Sequence, residues 1–353
     1  MILEGKTVLV TGGTGSLGKV LTKRILSGVE GKPRKVIVFS RDEGKQHAMR
    51  QLYLNRSVTT DEVIYRNFLN ILEFRIGDIR SYSDVCGALQ SVDIVINAAA
   101  LKQVPTCEYF PQQALDTNCT GAWNIVRAIQ EGRCRVETVV GVSTDKAAKP
   151  VNVMGMTKAL QERIFISANI FNSSTRFVCV RYGNVIASRG SVIPLFLDQI
   201  QAGGPVTLTL PEMTRFLLTL DQGVDTIFAA IKHAKRGEIF VPRIPSATVM
   251  NIAKALIGKR KVEVKIVGIR PGEKVHETLI AEEEKSYARV HDEYYVIKPM
   301  LPELNEITVE EKEGLHLVQS SGDQPLSYEE TLAFLKNHHL TPELARAKDG
   351  LLI

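Results

Sequence analysis

Residues 143–146 read Ser143-Thr144-Asp145-Lys146, and a helical stretch further on carries Met154 and Lys158. A hydroxyl, a carboxyl and two amines thus lie within a short length of chain. Such a set can move protons: a protonated carboxyl donates to a departing hydroxyl, and a neutral lysine removes a proton from carbon. Both states require shifted pKa values. A low-dielectric cleft favours the neutral form of each group, and a neighbouring cation such as Lys158 is expected to depress Lys146 further. Met154 and Lys158 stand four residues apart and share one face of a helix. An Asp-Lys pair after a strand is also an ordinary surface feature, so the elements around it decide.

Those elements alternate. Short Val/Ile-rich runs at Thr7–Thr11, Lys35–Ser40, Leu72–Gly77, Asp93–Ala98, Thr138–Ser143 and Arg176–Arg181 have the character of strands buried on both faces. Helical patterns lie between them, at Leu17–Leu26, Ser83–Leu89, Gln112–Glu131 and Val153–Phe171. The alternation predicts an α/β fold, a Rossmann-type doubly wound parallel sheet over residues 1–185. After Tyr182, glycines and prolines punctuate shorter elements. A segment near 206–237, with a strand at Val206–Leu210 and a helix at Asp221–Lys235, is expected to return to the sheet. Residues 186–205 and 238–353, ending in a helix at Ser327–Asn337, are expected to form a smaller C-terminal α/β substrate lobe. Ligands should bind in the cleft at the carboxyl ends of the strands.

The first strand runs into Gly12-Gly13-Thr14-Gly15-Ser16-Leu17-Gly18 and then a helix. Gly12, Gly15 and Gly18 permit a tight turn and let helix N-terminal N–H groups approach a pyrophosphate. Thr14, Ser16 and Leu17 are placed to line it. The second strand ends in Ser40-Arg41-Asp42, a hydroxyl and a guanidinium where NAD sites usually carry an acid. This suits the 2′-phosphate of NADP, although an Arg starting a helix capped by Asp42 would read the same way. Asp78 and Ile79 follow the third strand, with Asp78 a candidate for the adenine amino group or for a helix cap. Ala98 and Ala99, after Asn97, are small where backbone must pass close to a cofactor.

At 353 residues, 44% hydrophobic and 24% charged, the chain has the make-up of a soluble globular protein. The net charge of +5 fits anionic small molecules. No basic run is interleaved with aromatics, so a nucleic-acid partner is not expected. Cys86, Cys107, Cys119, Cys134 and Cys179 form no CxxC pair and the histidines are scattered, so neither a disulfide framework nor a metal site is expected. No apolar stretch approaches the roughly 20 residues of a membrane span; a cytoplasmic enzyme is expected.

With these motifs in order, the chain resembles the extended short-chain dehydrogenase/reductases. More narrowly it is similar to the UDP-N-acetylglucosamine 4,6-dehydratases of capsule and flagellar-glycan synthesis, of the type that inverts C5. Further carriers of the likeness are Leu101-Lys102-Gln103-Val104-Pro105, Arg181-Tyr182-Gly183-Asn184-Val185, Ser188-Arg189-Gly190-Ser191, Met213-Thr214-Arg215-Phe216 and Arg270-Pro271-Gly272-Glu273-Lys274. They span roughly residues 5–280.

The resemblance implies that NADP takes hydride from C4 of the sugar, that an acid and a base then eliminate water across C5 and C6, and that the hydride returns to C6. It gives the elimination to Asp145 and Lys146, and sets Asp-Lys apart from the Asp-Glu of retaining enzymes. Lys158 would hold the nicotinamide ribose. Met154 stands where the family's tyrosine usually removes the C4 hydroxyl proton. A thioether has no proton to exchange, so Thr144, relaying to Asp145, is the first candidate for that task and water held by Lys158 the second. Cys107 is a third, either an ionised thiol or a small buried residue.

Further cofactor contacts are implied at Lys102, Asn118, Tyr182 and Asn184. For the UDP-sugar, Lys102, Asn184, Arg189, Ser191, Arg215, Arg270 and Glu273 are implied, arginine's fork matching phosphate. Self-association is expected by the same likeness. Two other readings remain: a UDP-sugar 4-epimerase, which needs no acid/base pair for C5 and C6, and a non-catalytic NADP-binding regulator, favoured by Met154.

Overall fold

The computed structural model describes residues 1–54, 68–186, 191–270, 272–304 and 319–341. Six parallel strands build its centre: β1 (Thr7–Thr11), β2 (Lys35–Ser40), β3 (Leu72–Ile76), β4 (Ile94–Asn97), β5 (Thr138–Thr144) and β6 (Arg176–Tyr182), in the order β3-β2-β1-β4-β5-β6. Every residue of β1 and β4 is buried, as expected of strands covered by helices on both faces. The order reverses between β1 and β4. That crevice is where such a sheet accepts a dinucleotide.

The remaining strands are β7 (Val206–Leu208), β8 (Thr214–Phe216), β9 (Ile239–Pro242), β10 (Ser246–Thr248), β11 (Val264–Ile266), β12 (Thr278–Ile280), β13 (Ala288–His291), β14 (Tyr294–Ile297), β15 (Gln319–Ser320) and β16 (Pro325–Leu326). Their pairing redraws the expected division of the chain. The run Val206–Leu208 does not return to the large sheet; β7 pairs with β11 in a small parallel sheet of its own. The returning element is the helix Leu220–His233, which begins in a Thr219/Gln222 capping box and packs on β6 and β9. Within 238–353, β9 joins β6 in parallel, and β14 and β13 follow antiparallel, so the large sheet has nine strands. The reason is burial: Ile239–Pro242 is wholly buried and completes the core beyond β6. A second apolar core, including Phe196, Leu208, Met213, Ile252 and Leu256, holds the smaller lobe together.

Two glycines set the distance between β5 and the helix Val153–Phe171. A Cβ on Gly141 would lie 2.5 Å from the Phe165 ring, and one on Gly155 would run into the Lys146 carbonyl. The helix can therefore lie close over β5, with its first turn against residues 145–147. Asn152 caps that helix, its side chain accepting from the Gly155 N–H at 2.8 Å. The expected single helix over 112–131 is instead Pro111–Leu115, a π turn at Asp116–Thr120, and Gly121–Gln130.

Candidate active site

Strand β5 ends at Thr144, and the chain turns through a single 3₁₀ turn, Asp145–Ala147. The Thr144 hydroxyl donates to Asp145 Oδ1 at 2.9 Å and accepts from the Lys146 N–H. Lys146 Nζ reaches Asp145 Oδ1 at 3.0 Å, Asn184 Oδ1 at 3.3 Å and Glu277 Oε1 at 3.1 Å. Asp145 is fully buried, Glu277 is 2% exposed and the Lys146 side chain 16%. Asp145 Oδ2 and Glu277 Oε2 have no hydrogen-bond partner among the described residues. A Cβ at position 183 would stand 2.5 Å from Phe216 Cβ and 3.3 Å from Asp145 Oδ2, so only glycine lets the chain pass between them.

The electrostatics act differently on the two members of the expected acid/base pair. Burial raises the Asp145 carboxyl against the pull of Lys146, which makes it a better acceptor for a proton arriving through Thr144. Burial also works to lower Lys146, but the carboxylates of Asp145 and Glu277 outweigh it and hold the ammonium above its usual range. In this setting the ammonium is favoured over the neutral amine that the sequence suggests. Its nearest charges are anions, and Lys158 is not among the groups acting on it. For Glu277, burial pushes upward while Lys146 and Arg215 more than reverse it. Glu277 is a buried acid at this site that the sequence did not disclose; its only signal is an acid opening the run Thr278-Leu279-Ile280.

Lys158 Nζ donates to the Val142 carbonyl and to Gln161 Oε1, and burial brings its pKa down to about 8. Met154 is buried in an apolar cluster with Cys107 and Ala114. The thiolate reading of Cys107 fails there. Burial, with Glu108 nearby, pushes its thiol up to about 11, and Sγ donates to the Leu101 carbonyl. Asn118, on the π turn, accepts from the Leu101 N–H and donates to the Leu101 carbonyl and to Thr157 Oγ1. Its amide is thereby spent on fixing residue 101, just before the exposed Lys102, rather than offered to a cofactor.

At the crevice the glycine turn is tight. Gly12 has φ +64°, and a Cβ there would fall 2.8 Å from Ala99 backbone; one on Gly18 would fall 2.5 Å from Gly13. Gly15 caps the helix Ser16–Leu26 with no side-chain hydrogen bond. Its first turn, with Ser16 and Leu17, therefore presents N–H groups without a capping side chain, which suits a pyrophosphate. Thr14 donates to Ser40 Oγ at 3.3 Å, and Gln46 Nε2 donates to the same hydroxyl. Thr11 ties the Asn97 side chain to the Ala99 N–H, next to Ala98. Arg41 is exposed, its guanidinium 3.9 Å from Asp78.

Asp78 is gripped by Arg80 through both carboxylate oxygens, and Ser81, not Asp78, caps the helix Tyr82–Ala88. Ile79 is buried against Gly121. The Tyr182 hydroxyl is buried with no partner among the described residues.

On the sugar side, Asn152 Nδ2 donates to the Gly272 carbonyl at 2.7 Å and Lys274 Nζ to the Ala148 carbonyl at 3.0 Å. These bonds fasten Gly272 and Lys274 beside the turn at Asp145–Ala147 and the start of the helix after it; Asn152 was not singled out by the sequence. Arg270 is exposed, and Glu273 accepts from its backbone N–H. Arg215 donates to the carbonyls of Thr214 and Val275. Ser191 precedes the helix Val192–Gln201, its hydroxyl without a partner among the described residues. Arg189 lies outside the described residues.

A model of the polysaccharide biosynthesis protein family matches residues 8–299. A protein of Rickettsia conorii named UDP-glucose 4-epimerase is 44% identical over 297 residues, covering 83% of this chain and 82% of that protein. The X-ray structure of Pen from Bacillus thuringiensis is 33% identical, with a TM-score of 0.85 over 96% of this chain and 100% of that one. DesIV, a dTDP-glucose 4,6-dehydratase from Streptomyces venezuelae solved with NAD and TYD bound, superposes with a TM-score of 0.68 at 19% identity over 98% of both chains, a likeness of fold. The chain belongs to the polysaccharide biosynthesis protein family and is an extended short-chain dehydrogenase/reductase of the nucleotide-sugar dehydratase and epimerase type.

Proposed function

We propose that this enzyme is an NADP-dependent UDP-N-acetylglucosamine 4,6-dehydratase that inverts C5, making a UDP-4-keto-6-deoxy-N-acetylhexosamine for surface glycans. The observation that carries the reading is the hydrogen-bonded chain Thr144–Asp145–Lys146, centred on the buried Asp145, at the end of β5. When bound, NADP supplies hydride acceptance from C4 and return to C6. Protons are the work of the side chains. The C4 hydroxyl proton passes through Thr144 to Asp145, which replaces the missing tyrosine at position 154. Asp145, then a neutral acid, protonates the departing C6 hydroxyl. Lys146 takes the C5 proton. An epimerase has no use for a second acid/base pair on the C5–C6 side.

The name of the Rickettsia relatives favours the epimerase reading instead. Incubation with UDP-N-acetylglucosamine and with UDP-glucose separates the two: the dehydratase loses one water, the epimerase gives an isobaric product. NMR of the product reports C5 configuration. Absence of turnover on any nucleotide sugar, with tight NADP binding, would leave the non-catalytic regulator.

NADP preference rests on Arg41, exposed beside Ser40 at the end of β2. Arg41→Ala is expected to cost about 1.5–3 kcal/mol of NADP affinity and almost none for NAD, the scale of one charged hydrogen bond. Calorimetric titration checks this, and equal losses for both cofactors would assign Arg41 to the fold. A homo-oligomer belongs to the same reading. Trp123, Met156, Leu160 and Phe171 leave apolar surface exposed on the helices Gly121–Gln130 and Val153–Phe171, which pack together. Sedimentation of the purified protein tests it, and a monomer at micromolar concentration would refute it.

A further inference from the structure

We infer that Glu277 is the proton store that turns Lys146 from an ammonium into the base of the elimination. The inference rests on the dehydratase reading above and adds a third member to its proton chain.

The difficulty it resolves is geometric. Lys146 Nζ sits between two carboxylates, Asp145 Oδ1 at 3.0 Å and Glu277 Oε1 at 3.1 Å. In that setting the nitrogen carries a proton, and an ammonium cannot accept the proton of C5. Some group must first take one from it. Asp145 is unsuited at that moment, because it already holds the C4 hydroxyl proton destined for the leaving water.

Glu277 has the right position and the right vacancy. It touches Lys146 through one oxygen, while its other oxygen is buried and unpartnered among the described residues. Its backbone is clamped: the Glu277 N–H donates to Ser321 Oγ at 2.9 Å, and the Ser321 N–H donates back to the Glu277 carbonyl at 2.8 Å. Ser321 in turn meets Thr214 Oγ1, which also contacts His276 Nδ1. Four polar groups of the smaller lobe therefore aim one carboxylate at the lysine of the large sheet. The charges that face this trio are Arg215, from β8, and Lys274, which lies just before Glu277. Both favour the Glu277 carboxylate at rest.

The protons balance. At rest the trio is Asp145 carboxylate, Lys146 ammonium and Glu277 carboxylate. Oxidation at C4 delivers one proton through Thr144 to Asp145. Lys146 then passes a proton to Glu277, across the 3.1 Å contact, and becomes an amine. In the elimination the C5–H bond breaks and its proton goes to Lys146. The C5–C6 double bond forms, and the C6–O bond breaks as Asp145 protonates the oxygen, releasing water. Asp145 is again a carboxylate and Lys146 an ammonium, while Glu277 holds one extra proton. That proton makes up the one C5 takes back when the hydride returns to C6, and the starting trio is restored.

Glu277→Gln keeps the shape and the contact but cannot store a proton. With the wild type shown to release water from UDP-N-acetylglucosamine, the variant is expected to exchange C5 hydrogen with deuterated solvent about 10- to 100-fold more slowly at neutral pH, below the full effect of losing a base. Its exchange should recover about tenfold per pH unit as solvent hydroxide takes over from the carboxylate, where the wild type is flat. KM and NADP binding should be unchanged, and Glu277→Asp should restore part of the rate. A residue that merely anchors the ammonium predicts the opposite: removing one anion makes Lys146 easier to deprotonate, so exchange in Glu277→Gln would rise or hold at neutral pH. Either result overturns the proposal, as does a Glu277→Gln rate with the wild-type pH profile. If Glu277→Gln does not fold, the Glu277→Asp pH profile carries the test, with a wild-type profile and rate counting against it. Failure of the wild type to dehydrate the sugar removes the reading beneath the inference, a result distinct from any of these.

Discussion

Lys146→Met is expected to lower turnover of UDP-N-acetylglucosamine by about 10²–10⁴-fold, the contribution of a positioned base. NADP binding should survive, because the glycine turn and Arg41 lie on other strands of the sheet. The elimination cannot proceed without a group to receive the C5 proton, and within the catalytic turn Lys146 Nζ is the one amine, held between Asp145 and Glu277. C5 exchange with deuterated solvent should fall in parallel with turnover. The substitution leaves two buried carboxylates without their cation, so its melting temperature must be measured beside the kinetics. Lys146→Arg is the companion: it restores the charge and cannot surrender a proton, and it should be as inactive as the methionine variant. Wild-type C5 exchange in either variant would remove Lys146 from the base role. Asp145→Asn should keep part of the C5 exchange if the acid serves mainly the C6 leaving group, and lose more if it also accepts the C4 proton through Thr144.

How much of this site can be read from the letters depends on the range of the interaction involved. Strands β1 and β2 and the helix Val153–Phe171 fall on the residues that apolar runs and periodicity mark out, because burial on both faces leaves a local signature. The glycine turn is legible for the same reason. A Cβ at Gly12 or Gly18 would meet backbone a few residues or one strand away. The charge on Lys146 is not legible. It is set by Asp145 beside it together with Glu277, which arrives from far along the chain through the Ser321 clamp, and no pattern near 146 reports that second carboxylate. The π turn that bends Asn118 toward Leu101 is hidden likewise: Asp116–Thr120 is made of weak helix formers, but it holds no glycine or proline that would mark a change of helix type. The assignment of β9, β13 and β14 to the lobe failed because short strands after glycine and proline punctuation carry no mark of the sheet they join. Cys107 was ambiguous in sequence for want of its neighbours, and the cluster with Met154 and Ala114 settles it as packing.

Arg181→Met should destabilise the fold by about 3–5 kcal/mol at neutral pH, the cost of breaking a buried ion pair from one side. Arg181 is 1% exposed at the end of β6 and meets Glu162 with two nitrogens, at 3.0 and 2.7 Å, and Glu284 at 2.6 and 2.8 Å. It therefore joins the helix Val153–Phe171, which carries Lys158, to the turn at 282–287, so the site's scaffold and the outer strands share one guanidinium. Methionine fills similar space and leaves both carboxylates buried with no cation between them. The pH dependence follows from Glu284, which burial would raise but Arg181 holds below the ordinary glutamate range. A depressed folded-state pKa contributes stability above the unfolded value, and that stability is lost as pH falls through the folded one. In the variant the Arg181 cation is gone and only the Ala281 N–H and Arg163 still oppose burial, so Glu284 takes up its proton at higher pH and the repulsion is relieved on acidification. The gap between wild type and variant, read from urea unfolding midpoints, should be widest near pH 7–8 and shrink towards pH 4–5. A gap that stays constant across that range would mean that the loss comes from packing around residue 181 and not from the stranded carboxylates.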